Sequence, residues 1–270
     1  MQVSSIRGSD LVWKSYDHQG KLWFEAQFSL YDFSAIESSN KEVSDKLTKL
    51  LKSAVRLNSE FLDKWNAFKV ETFLEFPLDW GLGSSSTLIY LLAQWADVHP
   101  LELYFKVENG SGYDVACAGS DSPIEYAVTE NEISYTPLEI SFPFAKDLYF
   151  VHLGKKQSSS TSILDYLKRV KQRKLLVQKI SDISELIVEQ SSLSDFEKLL
   201  EEHEDLIHHH TGFPKVKDIL FSDYSHTVKS LGAWGGDFVL VASPDGFEDT
   251  ARYFKQKGLA TIIPFSEMIL

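Results

Sequence analysis

Two short runs crowded with aromatic and apolar residues, 11–16 and 22–30, flank the polar stretch Asp17-His18-Gln19-Gly20, the pattern of a β-hairpin. The period then lengthens. Over 41–57 the apolar residues Val43, Leu47, Leu50, Leu51, Ala54, Val55 and Leu57 recur at helical spacing. Residues 68–76 return to a strand, which Pro77 ends. Beyond a glycine- and serine-rich loop, Leu88, Ile89, Leu91, Leu92, Trp95 and Ala96 fall on one side of a 3.6-residue repeat and predict a helix over 84–98. Pro100 opens a short helical stretch, 109–112 must turn, and 123–135 alternates in places.

In the second half the pattern predicts a buried strand at 148–153 and a long helical region at 163–187 whose exposed face carries Lys168, Arg169, Lys171, Arg173 and Lys174. A helix at 193–209 follows, then a third after Pro214, a strand at 238–242, a helix at 247–257 and a last strand at 259–264. That order implies an α+β class with a mostly antiparallel sheet in the second half. The expected division is 1–143 and 144–270, with the boundary in 141–146 and no internal repeat.

Composition changes the picture in three ways. At 270 residues and 43% hydrophobic the chain can bury a real core, and no run approaches the ~18 apolar residues of a membrane span. The start of the chain has no signal-peptide apolar region, so a cytoplasmic protein is expected. A single cysteine, Cys117 in an Ala-Cys-Ala run, excludes an internal disulfide framework and reads as a small buried residue. The net charge of −12 argues against nucleic acid or an anionic membrane as partner, and any acidic small-molecule substrate needs a local basic patch.

The chemistry centres on Asp79-Trp80-Gly81-Leu82-Gly83-Ser84-Ser85-Ser86-Thr87. Glycines at 81 and 83 make a flexible loop, and the helix it feeds has unpaired N–H groups and a partial positive charge at its start, a natural seat for phosphate. Serines before a helix can equally be N-caps. Neither a Walker loop nor a dinucleotide fingerprint fits, since no Gly-Lys-Ser/Thr and no third glycine follow. Two more glycine-rich segments stand downstream, Gly110-Ser111-Gly112-Tyr113-Asp114-Val115-Ala116 and Gly232-Ala233-Trp234-Gly235-Gly236-Asp237. His203, Glu204 and His208 miss the His-Glu-x-x-His zinc pattern by one residue, and the consecutive His208, His209 and His210 point in different directions on a helix, so no metal site is read there.

Together, and in this order, the three segments resemble the second motif, the catalytic-aspartate segment and the third motif of the GHMP small-molecule kinases, closest to the mevalonate and phosphomevalonate kinases. The resemblance spans about residues 70 to 245. It implies a first domain like domain 2 of ribosomal protein S5, a ferredoxin-like second domain and an active site between them. It implies ATP and Mg²⁺ as cofactors, with Gly81, Leu82, Gly83, Ser84, Ser85 and Ser86 on the nucleotide and Ser85 also ligating the metal. Asp114 would orient or deprotonate the acceptor hydroxyl; Ser111, Gly112, Gly235 and Gly236 would close on the substrate, with Asp237 anchoring its loop. Gly154-Lys155-Lys156-Gln157-Ser158-Ser159 resembles the acceptor-side Gly-x-x-Ala-Ser-Thr stretch of phosphomevalonate kinases, which makes Lys155, Ser158 and Ser159 acceptor candidates; a solvated linker with an N-cap is the other reading. The partners implied are a small acidic substrate and, as an assembly open to the chain, a homodimer.

The resemblance breaks at two places. The Pro-Gly-Lys-x-x-Leu-x-Gly-Glu segment with which family members begin has no match in 1–20, and its loss should leave one edge of the first sheet unpaired. Where mevalonate kinases carry an acidic Mg²⁺ ligand this chain has Leu103, so that Glu102, Glu108 or water would have to substitute. A non-catalytic nucleotide or metabolite binder on the same scaffold is therefore the alternative to an ATP-dependent kinase.

Overall fold

The structure, a computed structural model, describes residues 1–62, 66–129, 132–155, 166–170, 173–232 and 236–269. The chain divides into two compact units, one of Met1–Leu78 and Leu82–Leu138, the other of Asp79–Gly81 and Glu139–Leu270.

The first unit is built on a five-stranded sheet in the order β1-β5-β2-β3-β4, with strands Gln2–Ile6 (β1), Asp10–Tyr16 (β2), Leu22–Ser29 (β3), Ala35–Ser38 (β4) and Ala67–Phe73 (β5). The hairpin expected from the alternation forms as β2 and β3, pairing Leu11 with Phe28 and Trp13 with Ala26. Asp17 fixes its turn, its Oδ1 accepting from the N–H groups of Gln19 and Lys21 at 2.9 Å. Leu11, Trp13 and Ser15 of β2 and Phe24, Ala26 and Phe28 of β3 are buried, the period-2 signature of a sheet with one face on a core. Helix α1 (Lys41–Leu57) starts at Asn40, whose side chain accepts from Val43 N–H at 3.2 Å, and buries Leu47, Leu50, Leu51 and Ala54.

Helices α2 (Ser84–Ala96) and α3 (Pro100–Val107) complete this core through Ile89, Leu92, Ala93 and Leu103. Each fully buried Leu or Phe contributes roughly 1.5–3 kcal/mol. A five-residue helix, α4 (Tyr113–Cys117), and a two-stranded ribbon, β6 (Ile124–Val128) with β7 (Ile133–Pro137), follow. β1 and β4 form the two edges of this sheet, and every residue of both strands is exposed, Val3, Ile6 and Ile36 among them. Cys117 corrects the sequence expectation: it is exposed, because α4 turns only Val115 and Ala116 inward.

The second unit carries a four-stranded antiparallel sheet in the order β11-β8-β10-β9, with Leu148–His152 (β8), Thr227–Ser230 (β9), Phe238–Ala242 (β10) and Ile262–Pro264 (β11). Every residue of β8 and β10 is buried, which is why both read as continuous apolar runs. Tyr149, Val151, Val239 and Val241 pack with Phe221, Tyr224 and Phe254, while Phe150 stacks on Phe265 at 5.7 Å. The helices are α5 (Arg173–Val188), α6 (Leu193–Thr211), α7 (Val216–Leu220), α8 (Phe247–Gln256) and α9 (Phe265–Met268). The long helical region expected at 163–187 is interrupted: 166–169 are helical, Val170 is not and α5 starts at Arg173, with 163–165 and 171–172 outside the described residues. Among the described residues no helix is long and apolar enough to cross a membrane.

Candidate functional site

The glycine-serine loop delivers its chain into α2 in a particular way. Gly83 is the N-cap residue at φ +75°, in the left-handed region, and no side chain caps the helix. None of the three serines that could cap it does so, and its first turn holds no acid. Elsewhere this chain uses caps: Asn40 caps α1, and Ser192 accepts from Asp195 N–H at the start of α6. The 13-residue α2 therefore keeps unpaired amides and the positive end of its dipole at Ser84 and Ser85.

Those two serines line a cavity of about 630 Å³ that lies wholly in the first unit. Lys46 and Lys49 of α1 stand on its wall, with Glu75 and Glu108 as its acids. Trp13, Trp23, Phe24 and Phe73 give it aromatic surface, and Trp23 and Phe73 are 37% and 49% exposed. Of the two glutamates weighed as a metal ligand, Glu108 lines the cavity with Ser85 and Glu102 does not. A hydroxyl, a carboxylate and two ammonium groups beside bare amides make a donor set that fits a phosphate chain with a hard cation, and aromatic walls fit a base. Among the described residues no group of three or more His, Cys, Asp or Glu could hold a metal by itself, so a cation here would need oxygens from the ligand.

Lys46 and Lys49 were missed in the sequence reading. The signal was there: they flank Leu47 and Leu50 three residues apart, which places both at one border of the buried face of α1. Lys46 already shares its charge with Glu42 at 3.0 Å.

Gly81 has a different environment. Its φ of +67° lies in the left-handed region, and a Cβ added there would sit 2.2 Å from Cγ of Asp237. The first glycine of the loop is thus required twice, for backbone conformation and because the Asp237 carboxylate fills the space of a side chain. Beside it, Trp80 packs on His152 at 5.9 Å and on Phe238 at 5.5 Å. Leu153 N–H donates to Asp237 O at 2.8 Å. Residues of the third motif and of the strand end at 152–153 therefore hold Trp80 and Gly81 in one cluster, all within the second unit.

Asp114 stands in the first turn of α4, whose N-cap Gly112 is at φ +84°. The Ser111–Gly112 turn is pinned by Tyr126, which donates from Oη to Ser111 O at 2.6 Å. Asp114 is accessible to solvent, yet crowding around its carboxyl raises its pKa above the usual aspartate value, against a hydrogen bond from Tyr113 that lowers it. The same carboxylate, after burial, helps push the Tyr113 hydroxyl and the Cys117 thiol upward. No Lys or Arg among the described residues acts on Asp114.

The cavity brings Ser84 and Ser85 together. Among the described residues its wall includes neither Asp114 nor Gly81, Leu82, Gly83 and Ser86. Lys155 is exposed just past β8, and Gly236 is buried beside Asp237. Ser158, Ser159 and Gly235 lie outside the described residues.

No family model matches the chain, and no curated protein does. Solved structures do. Mevalonate kinase of Methanococcus jannaschii is 14% identical with a TM-score of 0.68, covering 97% of this chain and 86% of its own. Phosphomevalonate kinase of Streptococcus pneumoniae, solved in complex with phosphomevalonate and AMPPNP, is 12% identical with a TM-score of 0.64 over 96% and 88%. Homoserine kinase of Cytophaga hutchinsonii is 12% identical with a TM-score of 0.56 over 95% and 80%. The chain therefore has the mixed α+β fold of the GHMP kinases over nearly all its length.

Proposed function

We propose that the chain is an ATP-dependent small-molecule kinase that phosphorylates a hydroxyl or phosphate acceptor. The observation that carries this reading is the uncapped start of α2, with Ser84 and Ser85 facing a cavity that also holds Lys46 and Lys49. Bound ATP would supply the γ-phosphoryl group, with Mg²⁺ to offset its charge. The amides of α2 and the two lysines orient the phosphates, and Glu108 with the Ser85 hydroxyl offers hard oxygens to a cation. Asp114 does not line that cavity, and its motif assigns it to hold the acceptor hydroxyl and take its proton, a role for which a raised pKa is better suited than that of an ordinary aspartate. The fold supports the reading, since the Streptococcus pneumoniae phosphomevalonate kinase that shares it was solved with AMPPNP, an ATP analogue.

ADP release with mevalonate, phosphomevalonate, homoserine and galactose as acceptors tests the proposal. Asp114→Asn is expected to lower turnover about 10²–10⁴-fold with the ATP KM nearly unchanged. Full activity of that variant would refute the role of Asp114. A second reading, a nucleotide binder without catalysis, is favoured by the lack of a basic group acting on Asp114 among the described residues. ATP binding without turnover on any acceptor would select it.

A further inference from the structure

The second unit contains a cavity that the kinase reading does not use. It measures about 410 Å³ and opens between α5, α6 and β9. One part of its wall is apolar, from Leu176, Val177, Ile180, Ile207 and Leu231. The other part is polar, from Lys229, His203, Ser181, Ser230 and Tyr166, and Gly232 completes the described wall. This composition, mostly apolar with a few convergent polar groups, is that of small-molecule sites.

The polar groups are set up in an unusual way. The Lys229 side chain is only 13% exposed and is paired with the buried Glu204, Nζ to Oε1 at 3.2 Å. Its ammonium also donates to Ser230 O at 3.0 Å, which leaves one of its three N–H donors over. Glu204 is satisfied on its far oxygen by the Ser230 hydroxyl at 2.9 Å. Lys229 lines the cavity whereas Glu204 is not among its described lining residues, so the neutral pair presents its positive end to the space. His203 Nδ1 is buried there with no hydrogen-bond partner, and an orphan buried nitrogen calls for an acceptor or donor. Burial lowers the pKa of both groups, and the charge of Lys229 adds to the drop at His203, which falls to about 4.

We propose that this cavity is a binding site for a small carboxylic acid with an aliphatic body, its carboxylate on Lys229 and His203 and its chain against Leu176, Ile180 and Ile207. A carboxylate there accepts the remaining N–H of Lys229, gives the His203 ring a partner, and offsets the field that disfavours both cations. A phosphate dianion is a poorer match, since the apolar wall would desolvate it without enough donors. The cavity shares no lining residue with the one at Ser84 and Ser85.

Hexanoate is the probe, with hexanol and hexylamine as length-matched controls, titrated calorimetrically into the whole chain. Histidine labelled at Cε1 allows the His203 resonance to be followed, assigned by its loss in His203→Gln. The expected result is binding of hexanoate at least tenfold tighter than hexanol, no binding of hexylamine, and a His203 titration midpoint that moves upward when hexanoate is present. Lys229→Met with Glu204→Leu, which removes both charges and leaves neither buried alone, should cost at least tenfold. Ile180→Trp, which fills the space and keeps the pair, should abolish binding. Equal binding of hexanoate and hexanol, no binding of hexanoate, or binding that survives both variants would overturn the proposal.

Discussion

Substituting Gly81 by Ala should show how the glycine-serine loop is held. The backbone at φ +67° costs an L-residue ~1–2 kcal/mol. The new methyl would also stand 2.2, 2.3 and 2.6 Å from Cγ, Oδ2 and Oδ1 of Asp237, where ordinary contacts need about 3.5 Å or more. The carboxylate must therefore retreat by more than an ångström, and such overpacking adds roughly 1–3 kcal/mol. The whole effect should be ~2–5 kcal/mol.

A double-mutant cycle separates the two terms. With Asp237→Ala already in place, Gly81→Ala should cost only the backbone part, so the two changes should couple by ~1 kcal/mol or more. Urea denaturation of the parent, both single variants and the double variant measures this directly. Additivity within about 0.3 kcal/mol would mean that the aspartate does not occupy the side-chain space of Gly81, and the account of the loop would fail.

Three further outcomes follow from the same structure. His203 is held neutral by burial, with a folded pKa of about 4 against 6.5 unfolded, so the unfolded chain takes up its proton first. Stability should drop by about 3 kcal/mol as pH falls from 6.5 to 4, and His203→Gln should remove that part of the slope in denaturation curves. Asp223 has the opposite sense: hydrogen bonds from Lys257 and then Tyr253 lower it to about 2, so its contribution is present above pH 3.8 and lost as pH falls through about 2. Asp223→Asn should flatten the acid limb in that window alone. Lys49→Met should raise the ATP KM more than Lys46→Met does, because Glu42 already offsets Lys46, and the difference should shrink with added salt.

The hairpin, α1, α2, β8, β10 and α8 were legible because each carries a clean period, of 2 or 3.6, or a continuous buried run. Other elements were not. β1 has five exposed residues, and β9, Thr-Val-Lys-Ser, hides a charged residue whose burial is settled by Glu204 on a helix 25 residues away in sequence. Such pairings are tertiary and leave no local pattern. The reading of Cys117 as buried failed for a related reason, since three small residues in a row do not say which face a five-residue helix will bury. At the site, the glycine motifs marked the loop and the aspartate segment, while the cavity's lysines and Glu108 were separated by about 60 residues and came together only through packing of α1 against α2 and α3.

The serines of the loop bear most directly on why this segment is built as it is. An N-cap side chain is worth ~1 kcal/mol to a helix, and α1 and α6 each take that gain from an Asn or a Ser. At α2 three serines stand in the first turn, yet a left-handed glycine occupies the cap position and the amides stay without a side-chain acceptor. A sequence selected only for helix stability would move one hydroxyl back by one residue to fill that position. Keeping the glycine forgoes the cap and leaves the positive helix end open to Ser84, Ser85 and the lysine-lined cavity, in a chain whose net charge is −12. For such an acidic protein to collect a polyanion, the local field must outweigh the global one, and bare amides supply it without adding charge that pH can remove.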